Sequence, residues 1–248
     1  DAGDRYAIEE IVFADGTLWD IEEIRSRVLL GDAGNDVLRG FSDRDDVLAG
    51  VGGDDVLAGG SGSDTYLFGF GDGNDVIDEG DTHGEDAVEL GSGVGPNDVT
   101  VRWTLLGDMR ITLTDGSGLG VRRQADDWSG RVGIEELRFA DGTRWNREEL
   151  VQRAIAATAG DDFIVGSRDD DILDGGTGND RFQDRGGYDS YLFGLGDGHD
   201  LIADRSGRIV FKTGIGQNDV NFSRDGSDLI ATIDASGDSL RIEDWLGD

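Results

Sequence analysis

The sequence predicts an all-β-dominated chain with two tandem parallel β-rolls, each preceded by a hairpin-helix cap and followed by a small antiparallel β-meander. Three observations support this architecture. An aspartate returns every nine residues, a unit of about 125 residues occurs twice, and glycine and acidic residues dominate the composition. These observations constrain the coil, the domain organisation and the turns respectively.

The nine-residue period is clearest between Gly160 and Gln183. Its aspartates, each followed two positions later by an apolar residue, are Asp162, Asp171, Asp180 and Asp189. The Gly, Asn and Asp residues before each aspartate tolerate the positive φ of a sharp turn, and a three-residue strand then points one side chain inward. Because such a strand is not stable alone, successive copies are expected to stack as parallel coils.

Stacked coils place one aspartate per turn in a column, where the carboxylates repel one another unless a cation lies between them. Ca²⁺ accepts six to eight oxygen ligands, and glycine-rich turns can supply carbonyls beside the carboxylates. The predicted carboxylate ligands are Asp36, Asp46, Asp55, Asp64, Asp75, Asp162, Asp171, Asp180, Asp189 and Asp200. The predicted carbonyl ligands lie near Gly31, Gly34, Gly50, Gly59, Gly62, Gly160, Gly175 and Gly178.

The composition fits a chain that needs bound counter-ions. With 22 basic and 54 acidic residues the formal charge is −32, a density that argues for disorder in the absence of cations. Nucleic acid and anionic membranes are poor partners for such a chain, and no apolar run is long enough to insert into a membrane. The absence of cysteine excludes disulfides and thiol catalysis. The amino terminus has neither an initiator methionine nor a signal peptide, so an excerpt of a longer protein is expected.

A long internal duplication defines two units. The segment IEEIVFADGTLW begins at Ile8, and IEELRFADGTRW begins 126 residues later at Ile134. The first unit is predicted over 1–125, with a cap at 1–29, a roll at 30–83 and a β cap at 84–125. The second is predicted over 126–248, with a cap at 126–156, a roll at 157–204 and a β cap at 205–248.

Local patterns assign the caps. Asp15-Gly16 is a favoured two-residue hairpin turn between alternating apolar residues, and Asp141-Gly142 repeats it. Asp20 with Glu23, and Asn146 with Glu149, have capping-box spacing, which predicts a helix leading into each roll and covering its apolar end. After each roll, short alternating segments separated by turns predict the meander, which ends in Trp128 or Trp245.

The nonapeptide Gly175–Gln183, the phrase Tyr66–Asp75 with its copy Tyr191–Asp200, and the FADGT phrase before Trp19 together resemble the RTX (repeats-in-toxin, hemolysin-type calcium-binding) family. The resemblance implies export by the type I secretion machinery and folding on extracellular calcium. It also implies that same-side turns share each ion. The implied pairs are Asp36/Asp55, Asp46/Asp64, Asp55/Asp75, Asp162/Asp180, Asp171/Asp189 and Asp180/Asp200. We expect about two to four Ca²⁺ per roll.

Other residue types carry weaker signals. The residues before the ligand positions are predicted to form turns rather than bind metal: Asn35, Asp45, Asp54, Asp161, Asp170 and Asn179. The two histidines, His83 and His199, show no metal or catalytic pattern, and the tryptophans are expected in the cap cores. No catalytic motif is present, so we expect no enzyme activity in this segment. Two alternatives remain: an adhesin segment with a glycan or cell-surface partner, and the secretion end of an RTX lipase, protease or polysaccharide-modifying enzyme.

Overall fold

A computed structural model describes residues 8–78, 84–124, 133–183, 185–204 and 206–245. Within the described residues the chain forms two compact units. One lies within Asp1–Val99, Thr112–Arg122 and Asp127–Trp145, and the other within Thr100–Ile111, Arg123–Asp126 and Asn146–Asp248. Trp128 and His83 lie outside the described residues. No helix in the described part of the chain has the length and apolar character needed to span a membrane.

The amino-terminal cap is a hairpin followed by a helix. Strands β1 (Glu10–Val12) and β2 (Leu18–Asp20) pair antiparallel, and α1 (Ile21–Val28) follows directly. The predicted two-residue turn is wrong in detail. The connection is a three-residue loop, Ala14 to Gly16, because Gly16 adopts φ +88° and its N–H donates back to the Phe13 carbonyl at 3.0 Å.

The first roll consists of two parallel sheets whose strands alternate along the chain. The strands of this region are β3 (Val37–Arg39), β4 (Val47–Ala49), β5 (Val56–Ala58), β6 (Thr65–Phe68), β7 (Asn74–Ile77) and β8 (Ala87–Leu90). Leu38 lies beside Leu57 in one sheet, and Leu48 beside Tyr66 in the other. All four are buried, as the nine-residue pattern predicts, so the core lies between the two sheets.

Segments after the repeats extend both sheets of the first roll. The next strands are β9 (Val99–Trp103), β10 (Met109–Leu113), β11 (Gly118–Val121), β12 (Glu136–Arg138) and β13 (Arg144–Asn146), with a 3₁₀ turn at Pro96–Asp98. β11 adds to β7 in parallel, and β12 adds to β8 in parallel. β12 falls in the sequence range predicted for the second unit and pairs with β13 as the predicted hairpin. It also joins the first roll, because Leu137 continues the apolar row of Val88.

The second roll repeats this arrangement after helix α2 (Arg147–Ala154). Its strands are β14 (Phe163–Val165), β15 (Ile172–Asp174), β16 (Arg181–Gln183), β17 (Asp189–Phe193), β18 (His199–Ala203), β19 (Gly207–Phe211), β20 (Val220–Asp225), β21 (Asp228–Ile233) and β22 (Ser239–Ile242). One sheet runs β14-β16-β18-β22-β21-β20 and the other β15-β17-β19. The meander β20-β21-β22 is antiparallel, and β22 joins it to the roll by pairing in parallel with β18.

The two helices begin in the same way but bury different amounts of surface. The Asp20 side chain accepts from the Glu23 N–H at 2.9 Å, and Asn146 accepts from Glu149 at 3.0 Å, which confirms both predicted N-caps. α1 buries none of its side chains fully, whereas α2 buries Leu150 and Ala154. Only α2 therefore has the buried apolar face expected of a covering helix.

Candidate metal centres

The structure arranges the predicted carboxylates in four columns, each defined by turns on one side of a roll. They are named by a member: the Asp55 column (Asp36, Asp55, Asp75), the Asp64 column (Asp46, Asp64, Asp86), the Asp180 column (Asp162, Asp180, Asp200) and the Asp189 column (Asp171, Asp189). All ten predicted aspartates take part. Successive nine-residue repeats place their strands in alternate sheets, so neighbouring members of a column lie about two repeats apart in sequence, in adjacent coils.

A backbone-to-carboxylate ladder connects the members of each column. The N–H of Asp36 donates to Oδ1 of Asp55 at 2.7 Å, and the N–H of Asp55 donates to Oδ1 of Asp75 at 3.0 Å. Asp162, Asp180 and Asp200 repeat this pattern at 2.8 and 2.9 Å. One oxygen of each acceptor carboxylate is thus held by protein, and the other is oriented by that bond.

A second ladder runs beside the first in the opposite direction. The side chain of Asn35 accepts from the Asp54 N–H at 2.9 Å, and Asp54 then accepts from the Asn74 N–H at 2.9 Å. In the second roll Asp161 accepts from Asn179, which in turn accepts from the His199 N–H at 3.0 Å. These side chains satisfy turn amides, which supports their interpretation as turn formers.

The second carboxylate oxygen divides the aspartates into two groups. At the first coil of each column, Oδ2 accepts an N–H of its own turn; for Asp36 the donor is Asp32 at 2.8 Å, and for Asp162 it is Thr158 at 2.6 Å. In later coils, Oδ2 of Asp55, Asp75 and Asp180 is buried and has no hydrogen-bond partner. Each of these three residues is only 1% exposed. A buried anionic oxygen without a partner is costly, so these positions fit a cation.

Glycine at the first position of the turn makes room for that oxygen. A Cβ built on Gly50 would collide with the carboxylate of Asp55, and one on Gly175 would collide with that of Asp180. Neither glycine has a positive φ, so the requirement is steric and not conformational. Gly31 shows the same relationship to Asp36, whose Oδ2 would lie 2.7 Å from the added Cβ.

Glycine at the fourth position lets backbone approach backbone between coils. Gly53 has φ +114°, and an added Cβ would lie 2.6 Å from the Gly34 carbonyl oxygen. Gly178 has φ +137° and the same 2.6 Å approach to the Gly160 carbonyl oxygen. The carbonyls of Gly50, Gly59 and Gly62 face neighbouring coils in the same way. The carbonyls of Gly34, Gly50, Gly59, Gly62, Gly160 and Gly178 thus lie close to glycines of neighbouring coils, whereas Gly31 and Gly175 lie close to carboxylates. That these eight positions supply carbonyl ligands stays a prediction.

Burial and mutual repulsion disfavour the charged form of several column members. Burial raises the pKa of Asp75 to about 6 and that of Asp200 to about 7, although each accepts a backbone hydrogen bond that acts in the opposite direction. The carboxylates of Asp55 and Asp180 add to the respective shifts. Burial also raises the pKa of Asp46 and Asp180. A divalent cation would remove this electrostatic cost.

The donor set consists of single carboxylates plus backbone. Among the described residues, no three His, Cys, Asp or Glu side chains converge on one point. Each turn brings one carboxylate of its own and the carbonyls of the glycine positions, which are hard oxygen donors suited to Ca²⁺. The residues present therefore fit calcium when adjacent turns contribute together.

Sequence reasoning missed one column member, Asp86. Its Oδ1 accepts from the Asp64 N–H at 2.8 Å, and its own N–H donates to Glu135 at 2.7 Å, so the Asp64 column continues beyond the predicted roll. The available signal was the step of eleven residues from Asp64 to Asp75, which recurs from Asp75 to Asp86.

The tryptophans differ in how far they are buried. Trp103 and Trp145 are buried, and Trp145 packs edge-on against Phe139 with ring centroids 4.7 Å apart, as expected for core residues. Trp245 is 59% exposed, contrary to the expected core position. His199 contacts Ser239 through Nδ1 at 3.0 Å on the surface.

Comparison with protein families agrees with the repeat pattern of the sequence. A family model described as the RTX calcium-binding nonapeptide repeat (4 copies) matches residues 28–52, 42–77 and 154–182, and one described as a haemolysin-type calcium binding protein related domain matches residues 1–23. No curated protein matches this sequence. The chain is similar to the crystal structure of extracellular lipase LipA from Serratia marcescens, with 17% identity and a TM-score of 0.26. That match covers 86% of this chain and 36% of the lipase chain, so this sequence spans about a third of that protein.

Proposed function

We propose that this RTX calcium-binding repeat protein is a non-catalytic segment of a larger secreted bacterial protein that folds when it binds extracellular Ca²⁺. The observation that carries the proposal is the set of buried Oδ2 atoms of Asp55, Asp75 and Asp180, which have no hydrogen-bond partner. In each of these residues the other carboxylate oxygen, Oδ1, already accepts a backbone N–H of the ladder. The Oδ2 atom is therefore available to an external cation.

The ions would be held between turns of one column. In the Asp55 column, the carboxylates of Asp55 and Asp75 and the carbonyls of Gly34 and Gly53 are the donors; in the Asp180 column, Asp180, Asp200 and the carbonyl of Gly160 are equivalent. The ion would supply positive charge where the protein offers only acceptors. Counting adjacent turns gives about two to four ions per roll.

The energetics fit a switch between compartments. Extracellular calcium modules have Kd values of about 10⁻⁴ to 10⁻³ M. A site at ten times its Kd stabilises the folded state by about 1.4 kcal/mol. Several sites together could offset the self-repulsion of a chain with net charge −32. At cytosolic calcium these sites would be empty, so the chain would stay unfolded for type I secretion and fold outside the cell.

The test compares chelated and calcium-loaded protein together with two neighbouring variants. Wild-type protein in EDTA should be expanded in size-exclusion chromatography and should gain β structure by circular dichroism in millimolar Ca²⁺. Asp55→Asn should raise the calcium midpoint, because it removes an anionic oxygen from a column. Asp54→Asn is the matched control: it removes the same charge but keeps the acceptor that Asn35 and Asn179 supply elsewhere in the second ladder.

Two results would overturn the proposal. One is identical compactness and identical spectra with and without EDTA. The other is an equal shift of the calcium midpoint by Asp55→Asn and Asp54→Asn, which would mean that only net charge matters.

One observation favours an additional role in glycan binding. Trp245 and Phe222 are each 59% exposed in the second unit, and exposed aromatic rings are the side chains with which proteins stack on sugars. Glycan-array binding by calcium-loaded protein that is lost in Trp245→Ala would support an adhesin segment. Binding that is absent, or unchanged in the variant, would exclude this role for Trp245.

A further inference from the structure

The two rolls carry different residues at one structurally equivalent position. The N–H of Gly91 donates to the Phe68 carbonyl at 2.9 Å in the first roll, and the N–H of Lys212 donates to the Phe193 carbonyl at 2.9 Å in the second. Gly91 directly follows β8, which pairs in parallel with β6, and Lys212 directly follows β19, which pairs in parallel with β17. Gly91 and Lys212 are therefore counterparts, one without a side chain and one with an ammonium group.

Lys212 neutralises carboxylates of its own roll. Its Nζ donates to Oδ1 of Asp174 at 2.6 Å and to Oδ2 of Asp197 at 2.8 Å. The Asp197 side chain is only 8% exposed, so this partner is an anion that would otherwise be buried without a cation. The aliphatic part of Lys212 lies over Gly194, where an added Cβ would come within 2.7 Å of it.

The first roll has the equivalent acid, Asp72, which is half-buried, but it has Gly91 in place of the lysine. Oδ2 of Asp72 accepts from the Gly69 N–H at 2.7 Å, as Asp197 does from Gly194. The counterparts of Asp174 and Lys212 are Ala49 and Gly91. The charged groups that act on Asp72 are the carboxylates of Asp55 and Asp115. Within the described ranges, Asp72 forms no ion pair.

The neighbouring strand positions also carry more positive charge in the second roll than in the first. Thr65 pairs with Ala87 in the first roll and Ser190 pairs with Arg208 in the second, which makes Ala87 and Arg208 counterparts. Asp86, a member of the Asp64 column, precedes Ala87, whereas Gly207 precedes Arg208. At this end the second roll has therefore lost one carboxylate and gained two basic side chains.

We infer that Lys212 is a built-in counter-ion of the second roll, so that this roll needs less calcium to fold than the first. The inference rests on the proposed function, because it assumes that calcium is the cation the lysine partly replaces. An ammonium fixed by two carboxylates acts at any calcium concentration, whereas a calcium ion is absent when its concentration falls. As calcium rises, the second roll should therefore fold first.

Reciprocal variants of the full-length chain test this directly. Lys212→Gly with Asp174→Ala gives the second roll the residues of the first. Ala49→Asp with Gly91→Lys gives the first roll those of the second. The backbone at Gly91 can carry a side chain, because a Cβ there would have no heavy atom closer than 3.6 Å and the φ of Gly91 is not left-handed. Hydrogen–deuterium exchange of peptides from 37–77 and from 163–203, followed through a calcium titration, reports each roll separately.

In wild-type protein, residues 163–203 should gain protection at a lower calcium concentration than residues 37–77. The first variant should raise the midpoint of the second roll about threefold, and the second variant should lower that of the first roll about threefold, which is within the range of a partly exposed ion pair. The untouched roll should not move in either case. If the first variant does not fold at any calcium concentration, the second variant tests the inference by itself, through the expected decrease in the calcium midpoint of the first roll.

Equal midpoints in wild-type protein, with neither variant shifting its roll, would overturn this inference and leave the proposed function intact. Hydrogen-exchange protection that does not change with calcium concentration in either roll would instead overturn the proposed function.

Discussion

Asp55 and Asp75 lie in adjacent coils of one column, and the backbone N–H of Asp55 donates a 3.0 Å hydrogen bond to Oδ1 of Asp75. The Oδ2 atom of each residue is buried and has no hydrogen-bond partner. Each carboxylate thus has two separate roles. One oxygen aligns the coil before it, and the other is available to a cation.

The two roles can be separated at Asp75. Asp75→Asn keeps an oxygen acceptor for the Asp55 N–H and removes only the anion, whereas Asp75→Ala removes both. In saturating calcium we expect the alanine variant to be less stable than the asparagine variant by about 1–3 kcal/mol, the cost of leaving a buried donor without its acceptor. Urea unfolding monitored by circular dichroism measures the difference; equal unfolding free energies would contradict the ladder.

The glycine at the first turn position should tolerate no side chain. Gly175→Ala would force the Asp180 carboxylate out of place, and we expect a loss of stability of about 1–3 kcal/mol and a weaker calcium response. Gly160→Ala is the control, because the nearest atom to its added Cβ is Thr158 Oγ1 at 4.0 Å. Thermal unfolding in calcium checks both; similar losses in the two variants would show that chain entropy, not the carboxylate, sets the requirement.

Calcium affinity should weaken at acidic pH. Burial raises the pKa of Asp75 to about 6 and that of Asp200 to about 7, so the metal-free folded state holds protons that the unfolded chain, with ordinary values near 4, releases. The stability that these protons contribute is complete below about pH 4 and is lost as pH rises through about 6 to 7. Calcium must displace the same protons.

We therefore expect calcium to bind about tenfold more weakly at pH 6 than at pH 8, with proton release that is larger at pH 6.5 than at pH 8. Calorimetry in two buffers of different ionisation enthalpy measures the protons released. An affinity that does not change between pH 6 and 8 would rule out the titration of these two aspartates.

The inward residue of each coil should contribute more to stability than its outward neighbour. Leu57 is 1% exposed between the sheets, and truncating it to alanine should cost about 2–5 kcal/mol through lost burial and an unfilled cavity. Val37→Ala is the comparison, since Val37 is 64% exposed and its truncation should change the unfolding free energy by less than about 0.5 kcal/mol. Denaturant unfolding in saturating calcium would contradict the assigned core if both variants lost the same amount.

Several features could be predicted because they depend on local spacing. The nine-residue period placed Leu38, Leu48, Leu57 and Tyr66 in the core, and the N-caps Asp20 and Asn146 followed from short-range hydrogen bonding. Asp86 was not predicted because its spacing from the preceding aspartate departs from the nine-residue period. β12 pairs with β13 as the predicted hairpin, but its second partner, β8, was not predicted, because a strand paired across 49 residues leaves no local pattern, as the bond from Asp86 to Glu135 shows.

The sequence by itself determined which residues turn, which point inward and which acids recur, since each follows from the conformational freedom of glycine and the two-fold alternation of a strand. Only the tertiary structure decided what each acid does. Asp36 and Asp55 occupy the same place in the repeat, yet the Oδ2 of Asp36 binds its own turn while that of Asp55 is buried without a hydrogen-bond partner. The physical reason is stacking: Asp55 lies between Asp36 and Asp75 in its column and is almost completely shielded from water, whereas Asp36 begins the column and its Oδ2 accepts an N–H of its own turn.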